Sequence, residues 1–163
     1  MNIWDTWKIA DYQNKIWGCQ TRRGYYQRLI DGYNLEKYFL CVSLQRLKEM
    51  RSRLDRVTEQ FEQCHRISSA RVGNTGGLHH INPNLVNRLT TGMNEAVNGA
   101  QYQSALSGIW NQYSEIDAKT QNKQNRVNTL DSSIAQCDRQ IKYCNNQIAG
   151  YEREIRRLKA QGK

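Results

Sequence analysis

The C-terminal part of the chain carries a regular pattern of apolar residues. From Ile109 to Leu158, inward positions follow one another at alternating steps of four and three residues, which is the heptad pattern of a helix packed along another helix. The series starts with Ile109, Tyr113, Ile116, Thr120 and Lys123; from residue 127 on, it holds Val127, Ile134, Ile141, Ile148 and Ile155 at a, and Leu130, Cys137, Cys144, Tyr151 and Leu158 at d. The pattern predicts one long helix over 100–160 that supercoils against a neighbour.

The N-terminal half predicts a second helix over 25–66 with a less regular stripe. Its apolar residues keep the heptad spacing except for one extra step of three at Met50, in the series Leu40, Leu44, Leu47, Met50, Leu54, Val57, Phe61, Cys64. Two consecutive steps of three predict a local break in the repeat. Before this helix, residues 1–23 carry Ile3, Trp7, Ala10 and Trp17 on one side and predict a separate amphipathic segment.

The middle of the chain predicts a loop and a short helix. Residues 69–82, within "SSARVGNTGGLHHINPN", are rich in Gly, Asn and Ser and predict a loop. Asn82 as N-cap and Pro83 at the first helical position then predict a helix over 83–97. Its predicted inward face carries Leu85, Leu89, Met93 and Ala96, and a turn at Asn98–Gly99 leads into the long helix.

Together these elements predict an all-α fold, a single elongated domain over 1–163 built as an antiparallel helical hairpin or coiled-coil bundle. The helix over 25–66 is expected to pack along the helix over 100–160. The predicted long helix is longer than the first one. Its end at Tyr151, Ile155 and Leu158 is therefore expected to be uncovered and to bind another chain. The predicted partner-binding residues are Val127, Ile134, Ile141, Ile148, Tyr151, Ile155 and Leu158. The predicted partner is another helical protein, either a different chain or a second copy.

The net charge of +9 is spread along the chain rather than gathered in one segment. Residues 1–68 hold 12 basic and 8 acidic residues, 69–108 hold 2 and 1, and 109–163 hold 10 and 6. A basic coiled coil that binds nucleic acid is therefore the alternative function rather than the leading one. No apolar run is long enough for a membrane span, and no cleavable signal is recognisable, so a cytoplasmic protein is expected, with any export using another route.

The residues that could carry chemistry lack the spacing that chemistry needs. The five cysteines are an odd number without a close pair, and Cys137 and Cys144 are explained as small residues in the stripe. His65, His79 and His80 do not have zinc-ligand spacing with Cys64. No nucleophile, phosphate-loop or paired-carboxylate motif is present, so we predict no catalytic residue, no metal, no cofactor and no enzymatic activity.

The segment "EAVNGAQYQSALSGIWNQYSEID" resembles a known family. A helix, a glycine turn and a long second helix over residues 83–160 resemble the small helical WXG-like proteins of Gram-positive type VII secretion and the accessory proteins encoded beside LXG toxins. Val97, Asn98 and Gly99 stand at the turn where that family carries Trp-x-Gly, with valine in place of tryptophan, and Tyr102 stands where an aromatic residue often follows.

The resemblance implies a non-enzymatic adaptor. Such a protein pairs with the helical N-terminal domain of a secreted LXG-type toxin and targets it to export. Family members often carry an export signal of the form Tyr-x-x-x-Asp/Glu. Tyr113 and Asp117 match this form, close to the turn rather than near the C-terminus.

Overall fold

The computed structural model describes residues 3–75 and 82–161, and nearly all of them are helical. Helix α1 runs over Ile3–Thr75, α2 over Pro83–Asn98 and α3 over Ala100–Gln161, with 73, 16 and 62 residues. No β-strand occurs within these two ranges, so the predicted all-α class is confirmed. Residues 76–81 of the predicted loop, with His79 and His80, lie outside the described residues.

Helix α1 is one continuous helix, which differs from the prediction at both ends. It takes in residues 3–23, which were predicted as a separate segment, and residues 69–75, which were predicted as loop. Glycines such as Gly18 and Gly24 weaken a helix by about 1 kcal/mol each but do not stop one whose inward face is covered. The predicted start and end of this helix, at residues 25 and 66, were therefore wrong.

Helix α2 begins as predicted but turns a different face inward. The Asn82 side chain accepts a hydrogen bond from the Leu85 backbone N–H at 3.2 Å, and Pro83 follows as the first helical residue. The inward residues are Val86, Thr90, Met93 and Val97, whereas Leu85 and Leu89 are more than half exposed.

The predicted face of α2 is therefore displaced by about one residue. The inward face includes Thr90, whose hydroxyl lies 3.1 Å from that of Thr75 at the end of α1. A search for apolar residues alone passes over this polar position and selects the neighbouring leucines instead.

The described helices form two compact units. Unit 1 comprises Met1–Val42 and Gln124–Lys163, and unit 2 comprises Ser43–Lys123. The buried apolar core of unit 1 consists of Ile9, Cys19, Ile30, Val127, Leu130, Cys137, Cys144 and Leu158; that of unit 2 consists of Leu44, Leu47, Val72, Val86 and Ile116.

In unit 2, the inward face of α1 keeps the heptad spacing without a break. It passes through Leu47, Arg51, Leu54 and Thr58, which are buried or partly buried, while Met50 is 51% exposed. The predicted irregularity was wrong because a polar residue, Arg51, fills the inward position. The apolar residue beside it points to solvent.

The predicted stripe of α3 agrees with the burial of its side chains. Every predicted inward position from Ile109 to Leu158 is buried or partly buried, and Leu130 is only 1% exposed. Cys137 and Cys144 are free and buried, as expected of small residues that pack in a core.

The predicted uncovered end of α3 is wrong, because α1 extends to Ile3. The ring of Tyr12 stacks on Tyr151 with centroids 5.6 Å apart, and Leu158 is buried at 6% exposure. The N-terminal segment thus covers the part of α3 that the sequence left without a neighbour.

Candidate functional site

A cluster of polar and aromatic side chains in unit 2 surrounds Tyr113. The guanidinium of Arg51 lies 4.6 Å from the centre of the Tyr113 ring, a cation–π distance, and forms ion pairs with Asp117 and, at 3.8 Å, with Asp55. The Tyr113 hydroxyl donates to Asp55 at 2.7 Å and lies 3.1 Å from the Thr58 hydroxyl. The cluster joins α1 to α3 within this unit.

The electrostatics of the cluster follow from these contacts. The hydrogen bond with Thr58 lowers the pKa of Tyr113, but the bond to Asp55 and partial desolvation outweigh it, so that the pKa is raised overall. The side chains line an open groove of about 850 Å³, together with Trp110, which is 60% exposed. Each charged group in the cluster has an opposite charge or hydrogen-bond partner, as in a structural network.

The residues of the predicted export signal belong to this cluster. Tyr113 and Asp117 lie one helical turn apart on α3, and both contact Arg51 of α1. The sequence pattern does not identify Arg51 as an inward residue, because the heptad search considers apolar residues alone. Tyr113 and Asp117 are therefore engaged within the chain, and their function as a signal stays a prediction.

The predicted turn residues form a second cluster in unit 2. The Gly99 N–H donates to the Glu95 carbonyl at 2.7 Å, and a Cβ on Gly99 would lie 2.2 Å from that oxygen. The Asn98 side-chain oxygen lies 2.9 Å from Nε2 of His65. A glycine is thus required at this position by the close approach of the preceding turn.

Aromatic rings extend the turn cluster. Tyr102 stacks on His65 at 4.2 Å and on Phe61 at 5.3 Å between ring centroids, while Val97 is partly buried beside them. From the sequence, the only role weighed for His65 was that of a metal ligand. Its place opposite the turn becomes visible only when α1 and α3 are brought together.

In unit 1, charged residues flank the inward stripe of α3. Arg126 donates to both carboxylate oxygens of Glu36, at 2.7 and 3.0 Å, and Lys37 lies 2.5 Å from Asp131. The bond from Arg126 lowers the pKa of Glu36, and the bond to Asp131 raises the pKa of Lys37. The stripe and its flanking ion pairs therefore bind α1 of the same chain.

The predicted partner-binding residues divide into two groups. Val127 and Leu158 are buried in the core of unit 1 and are not available to another chain. The others are only partly buried: Ile134, Ile141, Ile148, Tyr151 and Ile155. Their binding to a partner stays a prediction.

The most exposed apolar surface of unit 1 lies on α1, and we call it the outward face. Trp7, for example, precedes the inward residue Ile9 by two positions and Tyr12 by five, which places it about half a helical turn from both. The large exposed apolar side chains of α1 in this unit are Ile3, Trp4, Trp7, Trp17, Tyr25, Leu35, Tyr38, Phe39 and Val42.

Of this face, the sequence pattern predicts only the N-terminal part, with Ile3, Trp7 and Trp17. The spacing of Leu35, Tyr38, Phe39 and Val42, at i, i+3, i+4 and i+7, is itself a helical stripe and could have revealed the rest. The inward stripe at Leu40, Leu44 and Leu47 overlaps this segment and by itself accounts for a helix there.

Two further observations limit the chemistry of the described part of the chain. Within residues 3–75 and 82–161, no group of three or more His, Cys, Asp or Glu side chains is placed to hold a metal ion. Over the same ranges, no helix has the length and apolar character needed to cross a membrane.

Comparison of the chain with models of protein families, with curated proteins and with solved structures gave no match.

Proposed function

We propose that this protein is a non-enzymatic helical partner protein that binds another helical chain through the outward face of α1. The observation that carries the proposal is the set of nine large apolar side chains that α1 exposes in unit 1. Six of them are aromatic, and large apolar side chains gathered on one helix face mark a surface that binds another molecule, whereas isolated ones need no explanation. Helical apolar stripes of this spacing are the usual means by which one helix docks on another.

We infer that unit 1 is an antiparallel coiled coil that presents this face. Tyr12 contacts Tyr151, Arg23 bonds to Asn145, and Glu36 pairs with Arg126, so the partner's number on α3 falls as the number on α1 rises. The alternating steps of three and four on both helices support the same arrangement. In this arrangement α3 supplies the support and α1 supplies the binding surface.

The family resemblance narrows the proposal to an adaptor of type VII secretion. The close turn at Gly99, between α2 and α3, and the stacked Tyr102 agree with a WXG-like turn. In this role the adaptor would pair with the helical N-terminal domain of an LXG-type toxin before export. The partner would cover the outward face and so remove the tryptophans from water.

The test is co-expression with each helical protein encoded beside this chain, followed by light scattering on the purified complex. Trp7→Glu should lower the affinity for the partner at least tenfold, because it places a charge in the apolar surface. Trp110→Glu is the matched control, since Trp110 is also exposed but lies in unit 2. If both variants bind the partner as well as the parent does, the outward face is not the binding surface.

The net charge of +9 favours one second candidate, a protein that binds nucleic acid. On α1 of unit 2, the basic residues Arg46, Lys48, Arg53 and Arg56 are all exposed. Binding of this kind weakens steeply as salt rises, because it releases counterions from the phosphates. Fluorescence anisotropy with a labelled duplex at about 50 and about 200 mM salt would separate the candidates: a fall in affinity of about tenfold or more would favour nucleic acid.

A further inference from the structure

We propose that the outward face of unit 1 binds a second copy of the same chain, with the two α1 helices antiparallel about a two-fold axis at Thr21. The inference rests on the proposed function for the binding surface, and it names the occupant of that surface while no other helical protein is bound. It is drawn from the positions of the exposed side chains along α1, all within residues 3–39.

The exposed apolar side chains fall in two groups that are equally distant from Thr21. One group lies near the start of α1, the other lies one to two turns before the end of this unit, and Trp17 and Tyr25 flank Thr21 at four residues on each side. In an antiparallel pair with its axis at residue 21, each residue faces the one equally far on the other side of 21. The facing pairs are then Ile3 with Phe39, Trp4 with Tyr38, Trp7 with Leu35, and Trp17 with Tyr25.

This register covers both groups, whereas neighbouring registers do not. All of these residues share the phase of the outward face, so only shifts of whole heptads keep the face turned toward the partner. A shift by one heptad sets Trp4 against Asp31 in one direction and Phe39 against Ala10 in the other. The register about Thr21 alone among these three gives every exposed aromatic residue of 3–39 an apolar counterpart.

Glycines lie where the two helices would cross. Gly18 of one copy faces Gly24 of the other on both sides of the axis, and Gly32 faces Ala10. A Cβ placed on Gly18, Gly24 or Gly32 would meet nothing within 4 Å in the single chain. The missing side chains therefore serve no packing inside the chain, but they would let two α1 backbones approach closely.

The available area suits a stable dimer. Six aromatic side chains of this face are between 52% and 76% exposed. Since an aromatic side chain contributes about 150–250 Å², they offer on the order of 800 Å² per copy, which is the size of a standard interface. A second copy would bury them without help from any other protein.

One facing pair is unfavourable in this register, and it supplies a sharp test. Asp11 faces Asp31 of the second copy, although Lys15 lies 2.6 Å from Asp11 and offsets part of the repulsion. Asp31→Lys should therefore tighten the dimer severalfold, as measured by analytical ultracentrifugation, because it replaces repulsion by attraction. A weaker dimer in this variant would overturn the register.

Disulfide cross-linking tests the axis directly, in a background in which the exposed Cys41 and Cys64 are changed to serine. Thr21→Cys should give a covalent dimer on mild oxidation, because residue 21 faces its own copy. Asn14→Cys is the matched control on the same face: its counterpart is Arg28, so the two copies of residue 14 lie about 20 Å apart and should not link. Mixing Asn14→Cys with Arg28→Cys should restore the link. Self-linking of Asn14→Cys without that of Thr21→Cys would overturn the axis.

Gly24→Leu tests the crossing without disturbing the single chain. The Cβ of the new side chain meets nothing within 4 Å in the monomer, whereas the side chain would separate the helices of the dimer. The dissociation constant should therefore rise at least tenfold while the circular dichroism is unchanged. Gly150→Leu is the control, since Gly150 is a helical glycine with equally open space on α3. A Gly24→Leu chain that dimerises like the parent would overturn the close crossing.

The outcomes for the unmodified chain distinguish this inference from the proposed function. A dimer at micromolar concentration, weakened at least tenfold by Leu35→Glu but not by Trp110→Glu, supports it. A chain that stays monomeric at about 100 μM overturns the second copy as partner. In that case the proposed function still holds if a helical protein encoded beside this chain binds through Trp7. If no such protein binds, the dimer and the proposed function are both wrong.

Discussion

At the scale of single residues, the described chain uses polar side chains at inward positions. Arg51 fills a heptad position normally held by an apolar residue, and its long side chain reaches the ring of Tyr113 and two carboxylates. Thr58 and Thr90 also occupy inward positions. The Thr58 hydroxyl pairs with that of Tyr113, and the Thr90 hydroxyl pairs with that of Thr75. Hydrophobic spacing can therefore locate a helix face, but it misplaces the face wherever a paired polar residue belongs to it.

Arg51→Gln should destabilise the protein more than Arg53→Gln does. The first change removes a cation–π contact and leaves Asp55 and Asp117 without their shared cation, whereas Arg53 is exposed on the same helix. We expect a melting temperature about 2 °C lower for Arg51→Gln, because these contacts are partly screened by water. Equal melting temperatures of the two variants would show that the cluster contributes nothing to stability.

The ion pair of Glu36 with Arg126 should make stability depend on pH. The pKa of Glu36 is lowered in the folded chain by its bond from Arg126, so its contribution is complete above about pH 4.5 and is lost as the pH falls through the folded pKa. Melting curves of the parent and of Glu36→Gln should therefore differ at pH 6 and converge near pH 3. Arg126→Gln should show the same convergence, and a difference that persists at pH 3 would exclude this ion pair as its source.

At the scale of elements, the sequence predicted the inward face of α3 and the start of α2, but not the two ends of α1 or the inward face of α2. The stripe of α3 was predicted residue by residue, because its heptad spacing is unbroken and most of its inward residues are apolar, the exceptions being Thr120 and Lys123. The start of α1 was predicted wrongly because its exposed tryptophans are interleaved with the inward residues Ile9, Tyr12 and Ile16 and form a second apolar stripe. Its end was missed because small polar residues suggested a loop, although the inward residue Val72 is buried. The candidate clusters were found only in part, because their members lie far apart in sequence.

Two glycine substitutions should have opposite effects on the helices. Gly150→Ala should raise the free energy of unfolding by about 1 kcal/mol, since the helix gains propensity and the methyl group meets open space. Gly99→Ala should lower it by about 2 kcal/mol, because its Cβ would lie 2.2 Å from the Glu95 carbonyl oxygen. Urea denaturation measures both. Stabilisation by Gly99→Ala would mean that the turn relaxes easily and that glycine is not required there.

At the scale of the whole molecule, the outward face depends on the packing of the inward one. Ile9 and Tyr12 hold the start of α1 against α3 in unit 1, and Ile3, Trp4 and Trp7 extend from that anchored segment. A free helix end of this length would fray in water. The tryptophans can therefore form a defined surface only while the last turns of α3 are present.

A chain that ends after Gly150 should thus lose both stability and association. It lacks the buried Leu158 and Tyr151, which stacks on Tyr12, so we expect the free energy of unfolding to fall by about 3 kcal/mol or more. Hydrogen exchange should show lost protection over residues 3–16 of α1, and light scattering should show weaker association. A chain that ends after Leu158 keeps these contacts and is the control. If the chain ending at Gly150 retains protection over 3–16 but no longer associates, then α3 itself carries the binding surface, as the sequence first indicated.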